Sequence, residues 1–153
     1  MPRLRLGAAA LAAALALLPA CGGGGDGPDP STVPGPLMRP GWNCLASGCH
    51  FPDGKPTPPD WGAGGTVYGS PTARPDQGLA GATVIIRDAT MRELRLVTNE
   101  AGNFHTPEKL AGPLAITVEY QGRTVAMPDP APAGSCNFCH DPEGVAQGRI
   151  YVK

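Results

Sequence analysis

The sequence predicts a mainly β protein, organised as a small antiparallel sandwich. Three observations support this fold class. Short runs are dense in β-branched residues, one run alternates apolar and polar side chains, and turn-forming residues separate the runs. Because each strand is short and followed closely by a turn, neither a helical nor an α/β fold is expected.

Seven strands are predicted in the order of the chain. The run 82–88 is rich in β-branched residues, and 94–98 alternates apolar with polar residues as a half-buried strand does. Gly102, in the turn 99–103, is free to adopt a positive φ, and Gln121-Gly122 forms the next turn. The predicted strands are 65–69, 82–88, 94–98, 104–106, 114–120, 123–127 and 150–152.

The N-terminus carries the features of an export signal. Arg3 and Arg5 precede an apolar run, 6–18, that is shorter than the roughly 20 residues needed to span a bilayer. We therefore assign 1–20 as a signal peptide. An ordinary signal peptide would leave Cys21 as a free thiol, which is a liability at an exposed position.

Leu18-Pro19-Ala20-Cys21 resembles the bacterial lipobox, although Pro19 departs from the small residues usual at its position. The resemblance implies that Cys21 is the lipidated first residue of the mature protein. The protein would be exported and lipid-anchored, facing the periplasm or the cell surface. Gly22 after the anchor is compatible with delivery to the outer membrane.

The mature chain divides by composition. Residues 21–40 are rich in Gly and Pro and predict a lipidated flexible linker. A segment at 41–63, the β domain at 64–127 and a last segment at 128–153 follow. Removing Arg3 and Arg5 from 12 basic residues leaves 10 against 13 acidic ones, a net charge of −3. This weak acidity gives no reason to expect nucleic-acid binding.

Cys136-Asn137-Phe138-Cys139-His140 has the C-x-x-C-H spacing of covalent c-type haem attachment. Two thiols three positions apart can reach two vinyl groups on one porphyrin edge, and the adjacent His140 can ligate the iron. A disulfide, a zinc site and a thioredoxin-type pair are the alternatives. The β-rich surroundings do not favour the last, which belongs at a strand-to-helix junction of a βαβ unit.

Cys44 and Cys49 form a second pair, followed directly by His50. Four residues separate these cysteines, so the backbone must bulge for both sulfurs to reach one porphyrin, and Gly48 supplies the freedom. A local Cys44–Cys49 disulfide and a zinc bound by all four paired cysteines remain open. However, neither alternative accounts for a histidine directly after each pair.

The distal positions of the two irons have few candidates in the sequence. His105 is the one histidine outside the motifs, and Met127 is a further possible ligand. At most one iron can therefore have two histidine ligands within a monomer. Because methionine ligation raises the reduction potential, we expect two unequal haems.

The segments Gly65-Thr66-Val67-Tyr68-Gly69, Gly81-Ala82-Thr83-Val84 and Thr98–Phe104 resemble the carboxypeptidase regulatory-like domain. The resemblance covers about 64–127 and implies an Ig/transthyretin-like β-sandwich, flanked at both ends by short irregular or helical Cys-Cys-His segments. The family name does not imply peptidase activity. Neither a His-Glu-x-x-His nor a Gly-x-Ser-x-Gly sequence is present, so we expect no enzyme of that kind.

The arrangement of both motifs around this domain is similar to small two-haem cytochrome-like lipoproteins of environmental bacteria. The resemblance implies electron transfer through two haem c groups to redox partner proteins. A non-redox structural or binding module, with its cysteines in disulfides or zinc, is the alternative. Ligand sensing or weak peroxidase activity at a five-coordinate iron is a third hypothesis, although no distal catalytic group is evident.

Overall fold

The computed structural model describes residues 37–51 and 59–152. This part of the chain is mainly β, as the sequence predicts. Eight strands and one helical turn follow each other as β1 (Ala63–Tyr68), β2 (Thr83–Arg87), β3 (Glu93–Val97), β4 (Asn103–Thr106), β5 (Ala115–Tyr120), β6 (Arg123–Ala126), β7 (Gly134–Ser135), α1 (Cys136–Cys139) and β8 (Ile150–Tyr151).

The first sheet has the order β3-β2-β5-β6 and is antiparallel throughout. In β2, Val84 and Ile86 are buried while Arg87 is exposed. Ile86 is paired with Leu94 on one side and Ile116 on the other. The burial of alternate residues in β2 therefore places one apolar face of this sheet inward.

The second sheet is centred on β1, all six residues of which are buried. β4 pairs with β1 in antiparallel fashion, but β7 and β8 pair with successive parts of β1 in parallel. The described chain is thus sandwich-like with mostly antiparallel pairing, and β7 and β8 depart from the antiparallel arrangement that the sequence predicts. The last segment returns to β1 by a crossover from the first sheet, and it runs in the direction of β1.

The core lies between the two sheets. Side chains of β2 and β5 meet those of β1 and β4, with Val152 and Cys136 in the same cluster. The buried members are Ala63, Val67, Ala82, Val84, Ile86, Phe104, Leu114, Ile116, Val118, Cys136 and Val152. A motif cysteine thus belongs to the core.

The seven predicted strands are all present, each within about two residues of its predicted bounds. Gly102 has a φ of 76°, the positive value predicted for it, and Gly48 also has a positive φ, of 81°. The second Cys-Cys-His segment is helical at α1, and the described part of the first consists of turns. The two-residue strand β7 is an addition to the sequence prediction.

Candidate functional site

Cys136 and Cys139 lie at the two ends of α1, directly after β7. The backbone N–H of His140 donates to the Cys136 carbonyl at 3.0 Å and closes the turn. Both cysteines are free thiols. Cys136 is buried, and this burial raises its pKa to about 12, so the sulfur is a neutral thiol at physiological pH.

His140 follows α1 and is half-buried. Its Nδ1 lies 3.2 Å from the carbonyl oxygen of Gly148. In the tautomer with the proton on Nδ1, this nitrogen donates to Gly148 and Nε2 keeps a free lone pair. Burial lowers the pKa of His140, which further favours the neutral, ligating form. Histidines that bind metals are commonly held by such a contact at their other ring nitrogen.

A large apolar cavity of about 830 Å³ opens beside this motif. Its wall is formed by residues of both sheets, by the segment after β6 and by the loop before β8. Cys136, Cys139 and His140 all lie in this wall, as does the exposed Phe138. The volume falls in the range of about 300–1,000 Å³ that cofactor and small-molecule sites occupy.

Met127 lies in the same cavity wall as His140 and is partly buried. It follows β6, the last strand of the first sheet. His105, in contrast, is in β4, outside the residues that line this cavity. The structure therefore separates the two distal candidates and associates Met127 with the C-terminal motif.

The N-terminal motif is built from turns between residues 40 and 50. Cys44 is a free thiol, and burial raises its pKa to about 11. Cys49 is disulfide-bonded, and its partner is none of the free thiols Cys44, Cys136 and Cys139. The structure therefore contains no Cys44–Cys49 bridge.

His50 is buried, and its Nδ1 lies 2.8 Å from the carbonyl oxygen of Pro59. The arrangement repeats that of His140, since in each case Nδ1 faces a backbone carbonyl eight or nine residues further along. The same tautomer argument leaves Nε2 of His50 as the nitrogen able to ligate.

Trp61 joins His50 to the remaining histidine. Its indole stacks on His50 with a centroid separation of 3.4 Å and on His105 with 4.1 Å. The structure thus brings His105 to the N-terminal motif. Desolvation lowers the pKa of His105, and the neighbouring His50 lowers it further.

Two adjacent glycines allow both motifs to pack on β1. A Cβ at Gly64 would lie 3.2 Å from the Cys44 Cβ, and one at Gly65 would lie 2.9 Å from the Cys136 Cβ. Since successive residues of a strand point to opposite faces, the two motifs lie on opposite sides of β1.

Asn137, inside the C-terminal motif, links the two segments by hydrogen bonds. Its Oδ1 accepts from the Thr66 N–H at 3.0 Å, and its Nδ2 donates to the Trp42 carbonyl at 2.8 Å. Ser135 donates through its hydroxyl to Asn43 Oδ1 at 2.6 Å. The two motifs are therefore one connected unit around β1.

Several of these residues were not singled out from the sequence. The close packing of the motifs on β1 could have been inferred from Gly64 and Gly65, because a glycine inside a strand often marks a close approach of other groups. Asn137 occupies a variable position of its motif, and Trp61 carries no sequence signature. Their roles depend on contacts between distant parts of the chain.

The predicted signal peptide, the anchor Cys21 and most of the linker lie outside the described residues. Among residues 37–51 and 59–152, no helix has the length and apolarity required to cross a bilayer. The same residues contain no group of three or more His, Cys, Asp or Glu side chains placed to hold a metal ion. A haem iron does not require such a group, because the porphyrin supplies its equatorial nitrogens.

Comparison of the chain with protein-family models, with curated proteins and with solved structures finds no match.

Proposed function

We propose that this protein is a membrane-anchored, extracytoplasmic c-type cytochrome-like carrier of electrons. The observation that supports the proposal best is the apolar cavity of about 830 Å³ beside the C-x-x-C-H motif. The motif alone has several interpretations, whereas a thiol pair and a histidine in the wall of a cofactor-sized cavity favour haem.

The residues at the C-terminal site fit this cofactor. Cys136 and Cys139 are both free, as thioether formation requires. The cavity wall is mostly apolar, which suits a porphyrin face, and Nε2 of His140 is free in the tautomer that Gly148 favours. Haem supplies one-electron exchange at its iron when it is bound.

The protein's own residues have distinct tasks in this proposal. Cys136 and Cys139 hold the group covalently, and His140 is the proximal ligand. Met127, in the same cavity, is the distal ligand. The surrounding aliphatic side chains exclude water, which lowers the local dielectric and favours the neutral thioether of methionine as a partner.

The N-terminal site is proposed as a second attachment, through Cys44 and Cys49, with His50 as proximal ligand. His105 is the distal candidate there, because their shared stacking on Trp61 brings it near His50. The site does not fit haem as it stands. Cys49 is disulfide-bonded and Trp61 stacks on both imidazoles, so both must change before a haem is attached.

The disulfide at Cys49 argues against haem at the N-terminal motif and keeps the alternative function open, although Cys44, Cys136 and Cys139 are free thiols. In this alternative the sandwich is a non-redox structural or binding module on a lipid anchor. The four paired cysteines would then serve in disulfides or in a zinc site. The dihaem protein and the haem-free module predict different haem contents for the full chain, so one measurement distinguishes them.

The test is to express the full chain with the cytochrome c maturation machinery. A haem-stained denaturing gel, intact mass and a reduced-minus-oxidised spectrum are then compared among three proteins. These are the wild type, C136S/C139S and C44S/C49S. The proposal predicts two haems in the wild type and one in each double variant.

The outcomes separate the hypotheses. No covalent haem in the wild type contradicts electron transfer by haem c. One haem, lost in C136S/C139S and kept in C44S/C49S, leaves the C-terminal site as the carrier. Carbon monoxide binding to the reduced protein would indicate an open iron, as the sensing hypothesis requires.

The lipid anchor and the finer fold assignment are part of the same proposal. The sandwich is proposed to be of the Ig/transthyretin-like kind that the sequence resemblance implies. Cys21→Ser should move the protein from the membrane fraction to the soluble extracytoplasmic fraction. Retention of this variant in the membrane would refute anchoring through Cys21.

A further inference from the structure

The carbonyl that holds His140 belongs to a peptide plane with a second anchor. In the tautomer with the proton on Nδ1, His140 donates to the Gly148 carbonyl at 3.2 Å. The other polar group of this plane is the N–H of Arg149, which donates to the Pro71 carbonyl at 3.1 Å. Because a peptide unit is rigid and planar, whatever holds Arg149 also sets the direction of the Gly148 carbonyl.

The residues before this plane do not fix its orientation. The backbone from 141 to 148 consists of turns and bends. Gly148 has a φ of 146°, and a glycine reaches many other backbone conformations at little steric cost. The anchor of the plane must therefore lie after it, in Arg149 or in β8.

The side chain of Arg149 is held against β1 and the N-terminal segment. It is only 7% exposed. Its Nη1 donates to the Gly41 carbonyl at 3.3 Å, and its guanidinium carbon lies 5.1 Å from the centroid of the Tyr68 ring. A Cβ at Gly41 would lie 2.5 Å from Nη1, so the glycine leaves the room that the guanidinium occupies. Neither Gly41 nor Tyr68 lines the cavity, so these contacts lie away from it.

The guanidinium of Arg149 is buried without a carboxylate in the part of the chain that the structure describes. The ion pairs found there use other arginines, namely Arg74, Arg87, Arg92 and Arg95. Nε of Arg149 has no hydrogen-bond partner among the same residues. An unpaired buried charge lowers stability, and the Tyr68 ring offsets this cost only in part. Stability alone does not account for an arginine here, which leaves the position that it imposes on its neighbours.

We propose that Arg149 is a positioning residue for His140, which acts by anchoring the peptide plane between Gly148 and itself. The inference rests on the proposed function, in which His140 is an iron ligand. The side chain of Arg149 clamps one side of the plane onto β1 and Gly41, and the Gly148 carbonyl then faces Nδ1 of His140. Nδ1 keeps the proton, so Nε2 keeps the lone pair that a metal requires.

The test measures the tautomer of His140 in the full chain prepared without haem. Histidine labelled with carbon-13 and nitrogen-15 reports the tautomer through its ring chemical shifts, at about pH 8, where an ordinary imidazole is neutral. His140→Gln identifies the signals of His140 among the three histidines of the chain. Because no haem is present, the result judges the inference alone, while the haem-stained gel judges the proposed function.

We expect the wild type to hold His140 mainly with the proton on Nδ1. Arg149→Gln should shift the ratio of the tautomers about fivefold towards protonated Nε2, the size of one hydrogen bond. Arg149→Lys should lie between the two, because an ammonium keeps a cation near the Tyr68 ring and a donor for the Gly41 carbonyl. Arg123→Gln is the matched control and should leave the ratio unchanged, because Arg123 is an exposed cation in β6.

His50 is the internal control, because the carbonyl that faces its Nδ1 belongs to Pro59 and not to the anchored plane. Equal populations of the two His140 tautomers in the wild type overturn the inference, even where a variant fails to fold. An unchanged ratio in Arg149→Gln overturns it as well, since β8 would then suffice to hold the plane. A shift of the same size in His50 would indicate general loosening of the fold and contradict a specific role of Arg149.

Discussion

At the scale of the residue, the two glycines of β1 set how closely the motif cysteines approach the sheet. A methyl group at Gly65 would lie 2.9 Å from both the Cys136 Cβ and the Phe104 ring. Neither neighbour can retreat easily, because Cys136 and Phe104 belong to the core. The tolerance for side-chain volume at this position is therefore very low.

Gly65→Ala should consequently destabilise the protein by about 1–3 kcal/mol, the usual cost of overpacking a core. Gly69→Ala is the control, because no atom lies within 4 Å of the Cβ it would add. The control should remain within about 0.5 kcal/mol of the wild type. Urea unfolding followed by circular dichroism measures both, and equal stabilities would contradict the close approach.

Tyr68 provides a second prediction at the residue scale. Its side chain is fully buried, and desolvation raises its pKa to about 12, with the nearby Arg149 partly opposing the rise. The unfolded chain ionises this phenol near pH 10, so above that pH it loses its proton before the folded protein does. Stability must then fall as the pH rises from about 10 towards 12.

An ultraviolet titration of tyrosinate absorbance checks this directly. Among the three tyrosines of the chain, one should ionise late, and this late step should be missing in Tyr68→Phe. The variant should also lose less stability between pH 9 and pH 11 than the wild type. Three tyrosines that ionise together near pH 10 in the folded protein would show that Tyr68 is solvated.

At the scale of the element, α1 is a single helical turn and too short to be stable by itself. Its position is fixed by Asn137, which receives the Thr66 N–H and donates to the Trp42 carbonyl. Asn137→Ala should cost about 3 kcal/mol, because it leaves buried backbone groups without partners. Haem attachment should become less efficient at both motifs.

The matched control is Glu143→Ala, an exposed position in the loop after α1. It should change neither the unfolding free energy nor the haem stoichiometry. Thermal unfolding and intact mass give the two readouts. An Asn137→Ala protein with wild-type stability would mean that packing on β1, and not this hydrogen-bond network, holds α1 in place.

The strands themselves follow from the sequence, since β-branched runs and turns are local signals. Val84 and Ile86, for example, are β-branched and predict strand β2 without any information on the tertiary structure. The parallel pairing of β7 and β8 with β1 has no such local signal, because Gly134-Ser135 is too short to show a pattern. It depends on a crossover that brings the last segment back to β1.

The candidate site likewise has some residues that the sequence identifies and others that only the folded structure brings together. Cys136, Cys139 and His140 can be recognised in the sequence, because haem attachment requires two cysteines and a histidine at this spacing. The association of Met127 with His140, and of His105 with His50, required the fold. Arg149 could not be found in advance, since burial without an acidic partner is a property of tertiary structure.

At the scale of the whole molecule, the two motif segments are far apart in sequence but share β1. In the proposed dihaem protein, Cys44 and Cys136 would hold the two groups from opposite faces of β1. A methionine at one iron and a histidine at the other would give them different potentials. The molecule would then pass electrons in a preferred direction, from the N-terminal to the C-terminal site.

The cavity also matters for stability, because the chain has few large side chains to fill the space between its sheets. A covalently held porphyrin would replace about 830 Å³ of cavity with apolar contacts. We therefore expect C44S/C49S carrying one haem to unfold about 10 °C or more above the same variant made without haem, corresponding to at least about 2 kcal/mol. Differential scanning calorimetry of the two preparations measures this shift, with C136S/C139S treated in the same way as the control. Melting temperatures that agree within about 2 °C would place the haem outside the cavity, because only a group packed between the sheets stabilises both of them.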